Sequence, residues 1–154
     1  MFDVAHRCGL RFECAQCSFC CTGSPGRVWL SHADIEGLCA FLGLAFDDFA
    51  ERYCVFVEVE GGRALSLIEK KGYDCVFLEN GKCSVYRARP IQCRTYPFWE
   101  EILKSEKSWN EEAAYSPGIG KGAIVPPERI IESLILARTN ARRLFPGTEE
   151  NIKV

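Results

Sequence analysis

Residues 14–21 read CAQCSFCC, four cysteines in eight positions with the last two adjacent. A run this dense leaves a chain few options. Residues 1–30 are rich in cysteine and glycine with weak periodicity, so the run reads as part of a loop-rich lobe organised by a metal rather than by a core. The chain holds ten cysteines in 154 residues, which in a secreted protein would suggest a disulfide framework. The start, MFDVAHRCGLRFEC, lacks the basic residues and apolar core of about 7–15 residues that mark a secretory signal. The expectation is therefore a reducing cytoplasm, where structural disulfides are rare and clustered thiols bind metal.

Spacing refines this. Cys14, Cys17 and Cys20 form C-x2-C-x2-C, which lets a short loop turn three thiolates toward one centre while intervening amides donate to sulfur. Bacterial ferredoxins continue such a run with x3-C-P; here Cys21 follows at once and no Cys-Pro comes later. Adjacent residues of an extended chain point in opposite directions, so Cys20 and Cys21 are poorly placed to chelate one ion. Either one of them ligates while the other packs, or they serve different metals or different atoms of a cluster. A second group, Cys75-x7-Cys83-x9-Cys93, supplies the distant ligands that the first lacks. Arg87, Arg89 and Arg94 surround it; a guanidinium beside an anionic thiolate centre stabilises its charge.

The remainder reads as one domain, residues 1–154, of α+β class with short helices, one or two hairpins and irregular cysteine loops. Hydrophobic residues make up 47%, which excludes disorder. A net charge of −2 from 19 basic and 21 acidic residues gives no nucleic-acid footprint, and no apolar run is long enough to span a bilayer. Ser31 and Asp34 suggest a capping box for a helix ending at Gly43. A second short helix is expected over residues 47–54. Strands 55–59 and 64–68 flank Gly61-Gly62; strands 75–78 and 83–86 flank the turn at Asn80-Gly81. A helix is expected over 98–107, a glycine-rich loop over 116–122, and a final helix from Pro126 to before Pro146. On that helix Ile130, Ile131, Leu134, Ala137, Ala141 and Leu144 would face inward. Cys39 and Cys54 read as core, His32 as solvent-facing, His6 as a weak metal candidate, and Cys8 stays undecided. Phe77, Tyr86, Tyr96, Phe98 and Trp99 read as packing around the metal lobe.

The combination Phe12-x-Cys14-x2-Cys17-x2-Cys20-Cys21, Leu30-Ser31-x2-Asp34-Ile35, Cys75-x-Phe77-Leu78, Gly81-x-Cys83-x-Val85-Tyr86 and Arg89-Pro90-x2-Cys93-Arg94-x-Tyr96-Pro97-Phe98 resembles the YkgJ-type CxxCxxCC family over roughly residues 10–122. That family is associated with zinc or iron chelation, and the cysteine region of flagellin lysine N-methylase is similar to it. The resemblance implies a bound zinc ion or iron–sulfur cluster, with Cys14, Cys17, Cys20, Cys21, Cys75, Cys83 and Cys93 as candidate metal ligands and Arg89 and Arg94 as cofactor-binding residues. Members commonly carry a further cysteine where this chain has Ser116, so a set of eight becomes seven. Seven suggests one complete centre and one with an open position, unless Ser116, His6, Cys8 or water fills it; alternatively, Cys21 is no ligand. The expected function is metal binding, with an iron–sulfur cluster in electron transfer or an associated redox or methyl-transfer reaction. A zinc-stabilised interaction module and a metal chaperone are the alternatives.

Overall fold

Short local signals set the ends of most elements. The computed structural model describes residues 8–146; His6 lies outside them. In chain order the elements are strand β1 (Leu10–Phe12), helices α1 (His32–Leu42) and α2 (Phe46–Tyr53), strands β2 (Cys54–Val59), β3 (Gly62–Leu67), β4 (Leu78–Glu79) and β5 (Lys82–Cys83), helices α3 (Ile91–Thr95) and α4 (Glu106–Ala113), strand β6 (Ile119–Val125), helix α5 (Pro127–Thr139) and strand β7 (Leu144–Phe145). This is the expected α+β class. Ser31 and Asp34 close a reciprocal capping box on α1, and Gly43 ends it with left-handed backbone. Asn80 and Gly81 both take positive φ, 50° and 74°, the conformation a tight turn between β4 and β5 demands.

Three small antiparallel sheets result. β2, β3 and β7 form one, with Cys54 opposite Leu67 and Val59 opposite Gly62; β4 and β5 form another. The third joins β1 to β6, with a register shift between Arg11 and Phe12. It overturns the expected loop over residues 116–122, since Ile119 onward is strand. The glycines there hide the alternation, and pairing comes from a partner more than a hundred residues earlier. The expected helix over 98–107 is also broken. A single 3-10 turn at Ile102–Lys104 stops at Ser105, whose side chain caps α4 by accepting from the Ser108 N–H. α5 stops at Thr139 rather than near Pro146; Ala141 and Leu144 are exposed, and Leu144 belongs to β7.

Two apolar cores form. The first gathers Ile35, Leu38, Phe49, Cys54, Leu65 and Leu67 from α1, α2 and the β2–β3 hairpin, with Leu30 just before α1 and Phe77 and Val85 flanking the β4–β5 hairpin. The second gathers Leu10, Phe98, Ile102, Leu103, Trp109 and Ile130, with Phe98 and Trp109 stacked at 6.1 Å. Cys54 is buried in the first core, and Cys39 packs against it half-buried. His32 is exposed and pairs with Glu36. No helix among the described residues is long and apolar enough to cross a membrane.

Candidate metal centre

The first cysteine run is a curl. Gln16 and Ser18 take left-handed backbone, and Ser18 starts a single 3-10 turn, Phe19–Cys21. Two hydrogen bonds dock the curl. Ser18 Oγ donates to the Gly81 carbonyl at 2.5 Å, and the Cys75 N–H donates to the Cys21 carbonyl at 2.7 Å. A side-chain hydrogen bond between Thr22 and Asp74 adds a third tie. On the far side, Gly118 lies so close to the chain leading into Cys14 that a Cβ there would stand 2.1 Å from the Glu13 carbonyl oxygen.

Cys93 arrives on α3, whose start is held by Asp34. That carboxylate accepts from Ser31 Oγ at 2.7 Å and from the Ile91 N–H at 2.7 Å, and Asn140 Nδ2 donates to it at 3.3 Å. One buried acid therefore caps α1 and anchors the helix that carries Cys93.

These supports bring the two cysteine groups together. Cys14, Cys17, Cys20, Cys21, Cys75, Cys83 and Cys93 all line one cavity of about 70 Å³ at the seam between the two cores. Leu67, Phe77 and Val85 wall it from the first core side and Phe12 and Tyr96 from the second, and Arg89 and Ser116 are among the other lining residues. Cys14, Cys17 and Cys20 are exposed, whereas Cys21, Cys75, Cys83 and Cys93 are half-buried. Cys8 is exposed and outside the lining.

The adjacent pair corrects an expectation. Cys20 and Cys21 do not diverge; both line the cavity and their sulfurs are 3.7 Å apart. In a 3-10 turn successive side chains are separated by about 120°, not the half-turn of extended chain. Two thiolates on one tetrahedral metal, at metal–sulfur distances of about 2.3 Å, stand about 3.8 Å apart. The pair thus matches an edge of one tetrahedral coordination sphere.

The electrostatics make the cavity inhospitable to bare thiolates. The Cys21 thiol donates to Cys20, which lowers the Cys20 pKa to about 7. Cys21 is pushed up by the same bond and by burial. Burial raises Cys75 and Cys83, and raises Cys93 to about 12. Cys20, Cys75, Cys83 and Cys93 form a quartet in which every pair is close enough for one thiolate to oppose ionisation of the other. Four such thiolates cannot share this space without positive charge between them. An all-sulfur donor set of this kind suits zinc or iron–sulfur centres.

The one guanidinium among the cavity's lining residues is that of Arg89. Its Nε donates to the Tyr86 carbonyl at 2.9 Å, and the group lies 3.6 Å from the Tyr86 ring centroid. Its charge favours the thiolate forms of Cys20, Cys83 and Cys93. Arg87 and Arg94 are exposed and outside the lining. Sequence reasoning did not anticipate Asp34 as the anchor of α3, nor a polar corner made of Tyr96, Glu112 and Ser116. Tyr96 Oη donates to Glu112 Oε1 at 2.5 Å, and buried Ser116 lines the cavity alongside Tyr96.

The profile of the CxxCxxCC family, described as "putative zinc- or iron-chelating domain", matches residues 13–115. The chain belongs to that family. The matched span starts just before Cys14, includes all seven lining cysteines, and stops one residue short of Ser116. An uncharacterised protein of Methanocaldococcus jannaschii, MJ0939, is 30% identical over 121 residues, covering 75% of this chain and 40% of the relative. The chain thus spans about two fifths of that relative's length. No solved structure matches.

Proposed function

We propose that the cavity holds an iron–sulfur cluster and that the protein works in electron transfer or an associated redox or methyl-transfer reaction. The observation that carries this reading is the cavity's size relative to its thiols. Among the described residues, no three His, Cys, Asp or Glu side chains stand where they would hold one metal ion, yet seven thiols surround the same space. A volume of about 70 Å³ exceeds the roughly 10–15 Å³ that one water requires. Several metal atoms joined by inorganic sulfide fill such a space and reach separated thiolates; a lone ion does not. The quartet Cys20, Cys75, Cys83 and Cys93 and the adjacent Cys21 would hold the cluster, which when bound stores and releases electrons.

The protein's own groups do the rest. Arg89 offsets the negative charge of the thiolates and favours the reduced state. Phe12, Phe77 and Val85 keep water from the inner wall, while the exposed edge formed by Cys14, Cys17 and Cys20 leaves an approach for a partner. Because the inner thiols are protonated when empty, loading releases protons and strengthens as pH rises. The competing reading, a zinc-stabilised interaction module, draws on the 3.7 Å separation of Cys20 and Cys21.

Anaerobically purified protein should show a broad visible charge-transfer band, with iron and acid-labile sulfide in comparable amounts. Colourless protein carrying stoichiometric zinc would overturn the cluster and leave the zinc module.

A further inference from the structure

The exposed cysteine edge is held between two loops. Ser18 Oγ ties the curl to the Gly81 carbonyl in the turn of the β4–β5 hairpin, at 2.5 Å. At its far end Thr22 bonds to Asp74. Asp74 closes a tight loop, in which the Tyr73 N–H donates to the Lys70 carbonyl at 3.0 Å and the Lys70 N–H to the Asp74 carbonyl at 2.6 Å. Phe19, on the curl between these ties, lines the cavity yet is 55% exposed, and Tyr73 is 51% exposed. Aromatic side chains are enriched at the centres of protein interfaces, with charge kept to the rim.

The two loops supply such a rim. Residues 70–94 hold six basic residues, Lys70, Lys71, Lys82, Arg87, Arg89 and Arg94, against two acidic ones, Asp74 and Glu79. That is +4 within a chain of net −2, so the remaining residues carry −6. All of the six but Arg89 are exposed, and among the described residues none has a carboxylate at ion-pairing distance. Of the two acids, Asp74 is committed to Thr22 and Glu79 stands opposite Lys82. Positive charge thus gathers around the place where Cys14, Cys17 and Cys20 reach the surface. A field of one sign around an opening steers partners of the opposite sign to it.

We infer that this face docks an acidic electron-carrier protein, whose carboxylates meet Lys71, Lys82 and Arg87 while its apolar centre meets Phe19. What the partner carries rests on the cluster reading above; its charge rests on this chain's own residues. A nucleic acid would meet the same cations, but a polyanion longer than the patch is repelled by the −6 on the rest of the chain.

The test titrates the full, anaerobically purified chain with flavodoxin, an acidic one-electron carrier, by calorimetry. Binding should saturate at low ionic strength and weaken at least 10-fold in about 1 M salt, where the screening length is about 3 Å. Basic cytochrome c should not bind. Joint replacement Lys71→Gln, Lys82→Gln and Arg87→Gln should weaken flavodoxin binding roughly 10-fold. The same loss of charge through Lys104→Gln, Lys107→Gln and Arg129→Gln, outside the cavity and both loops, should leave it unchanged. Equal weakening by the two triple variants would overturn the location, and cytochrome c binding as tightly as flavodoxin would overturn the sign. A single-stranded oligoribonucleotide that binds more tightly than flavodoxin would overturn the carrier in favour of a nucleic acid. Protein that shows the visible band but ignores flavodoxin at low ionic strength would sink the docking face alone. Protein without the band sinks the cluster reading instead, so the two failures are distinguishable.

Discussion

Asp34→Ala should destabilise the metal-free protein far more than loss of a helix cap does. The carboxylate serves two helices that are distant in sequence. At α1 it completes the capping box with Ser31, an interaction whose loss costs about 1 kcal/mol. At α3 it receives the Ile91 N–H at 2.7 Å. Ile91 is buried, so deleting the acceptor strands a buried donor, which costs about 1–3 kcal/mol. The two contributions sum to about 2–4 kcal/mol, or a melting temperature lower by roughly 5–15 °C for a chain of this size. Ser31→Ala removes the cap and spares the link to α3, so it should cost only about 1 kcal/mol. Urea unfolding of the two metal-free variants measures the difference directly. Because α3 carries Cys93, Asp34→Ala should also lose metal to a competing chelator faster than Ser31→Ala. Equal losses of stability in the two variants, within about 0.5 kcal/mol, would refute the claim that Asp34 anchors α3.

Gly118→Ala should destabilise by about 1–3 kcal/mol through overpacking, because its Cβ would meet the Glu13 carbonyl oxygen at 2.1 Å; denaturant midpoints report it. Arg89→Gln should weaken metal retention several-fold, on the order of 1 kcal/mol of lost charge stabilisation, whereas Arg94→Gln should leave a chelator-competition curve unchanged. Metal-free protein should lose stability as pH rises from about 9 toward about 12. Cys54 and Cys93 have folded pKa values raised from 9.0 to about 12, so across that window the unfolded chain gives up protons the folded one keeps. Each thiol steepens the decline by at most about 1.4 kcal/mol per pH unit. Cys54→Val should flatten the decline in a series of urea melts, and an unchanged slope would contradict the assigned shift.

How far these features can be read from the sequence depends on how local their causes are. The α1 cap, its glycine stop and the Asn80-Gly81 turn each depend on two to four neighbouring residues, and all three stand where the pattern puts them. The convergence of the two cysteine groups was also legible, because C-x2-C-x2-C needs distant partners and the chain offers one other thiol group at hairpin spacing. What escaped was set by contacts across the chain. β6 is a strand because β1 lies beside it, with Gly118 allowing the backbones to meet; its glycines in isolation read as loop. Asp34 shows a capping box to a sequence reader, while its second partner, Ile91, lies fifty-seven positions away.

The adjacent cysteines show why spacing alone misjudged the site. Cys20 and Cys21 would diverge in an extended chain, and nothing in CAQCSFCC signals any other conformation, since Ser18 is not a residue that ordinarily takes positive φ. Yet Ser18 sits at φ 66°, held by its bond to Gly81 on a hairpin sixty-three residues away. That bond bends the run into a 3-10 turn and turns two neighbouring sulfurs to the same cavity. The docking hairpin therefore decides how many thiols the first run can offer. Ser18→Ala removes the bond without touching a thiol, so its effect on metal retention separates the geometry of the curl from the chemistry of its cysteines. If Ser18→Ala retains metal like the wild type against a chelator, the curl does not depend on that bond. Several-fold faster loss is the expected result, since the bond's net worth is about 1 kcal/mol.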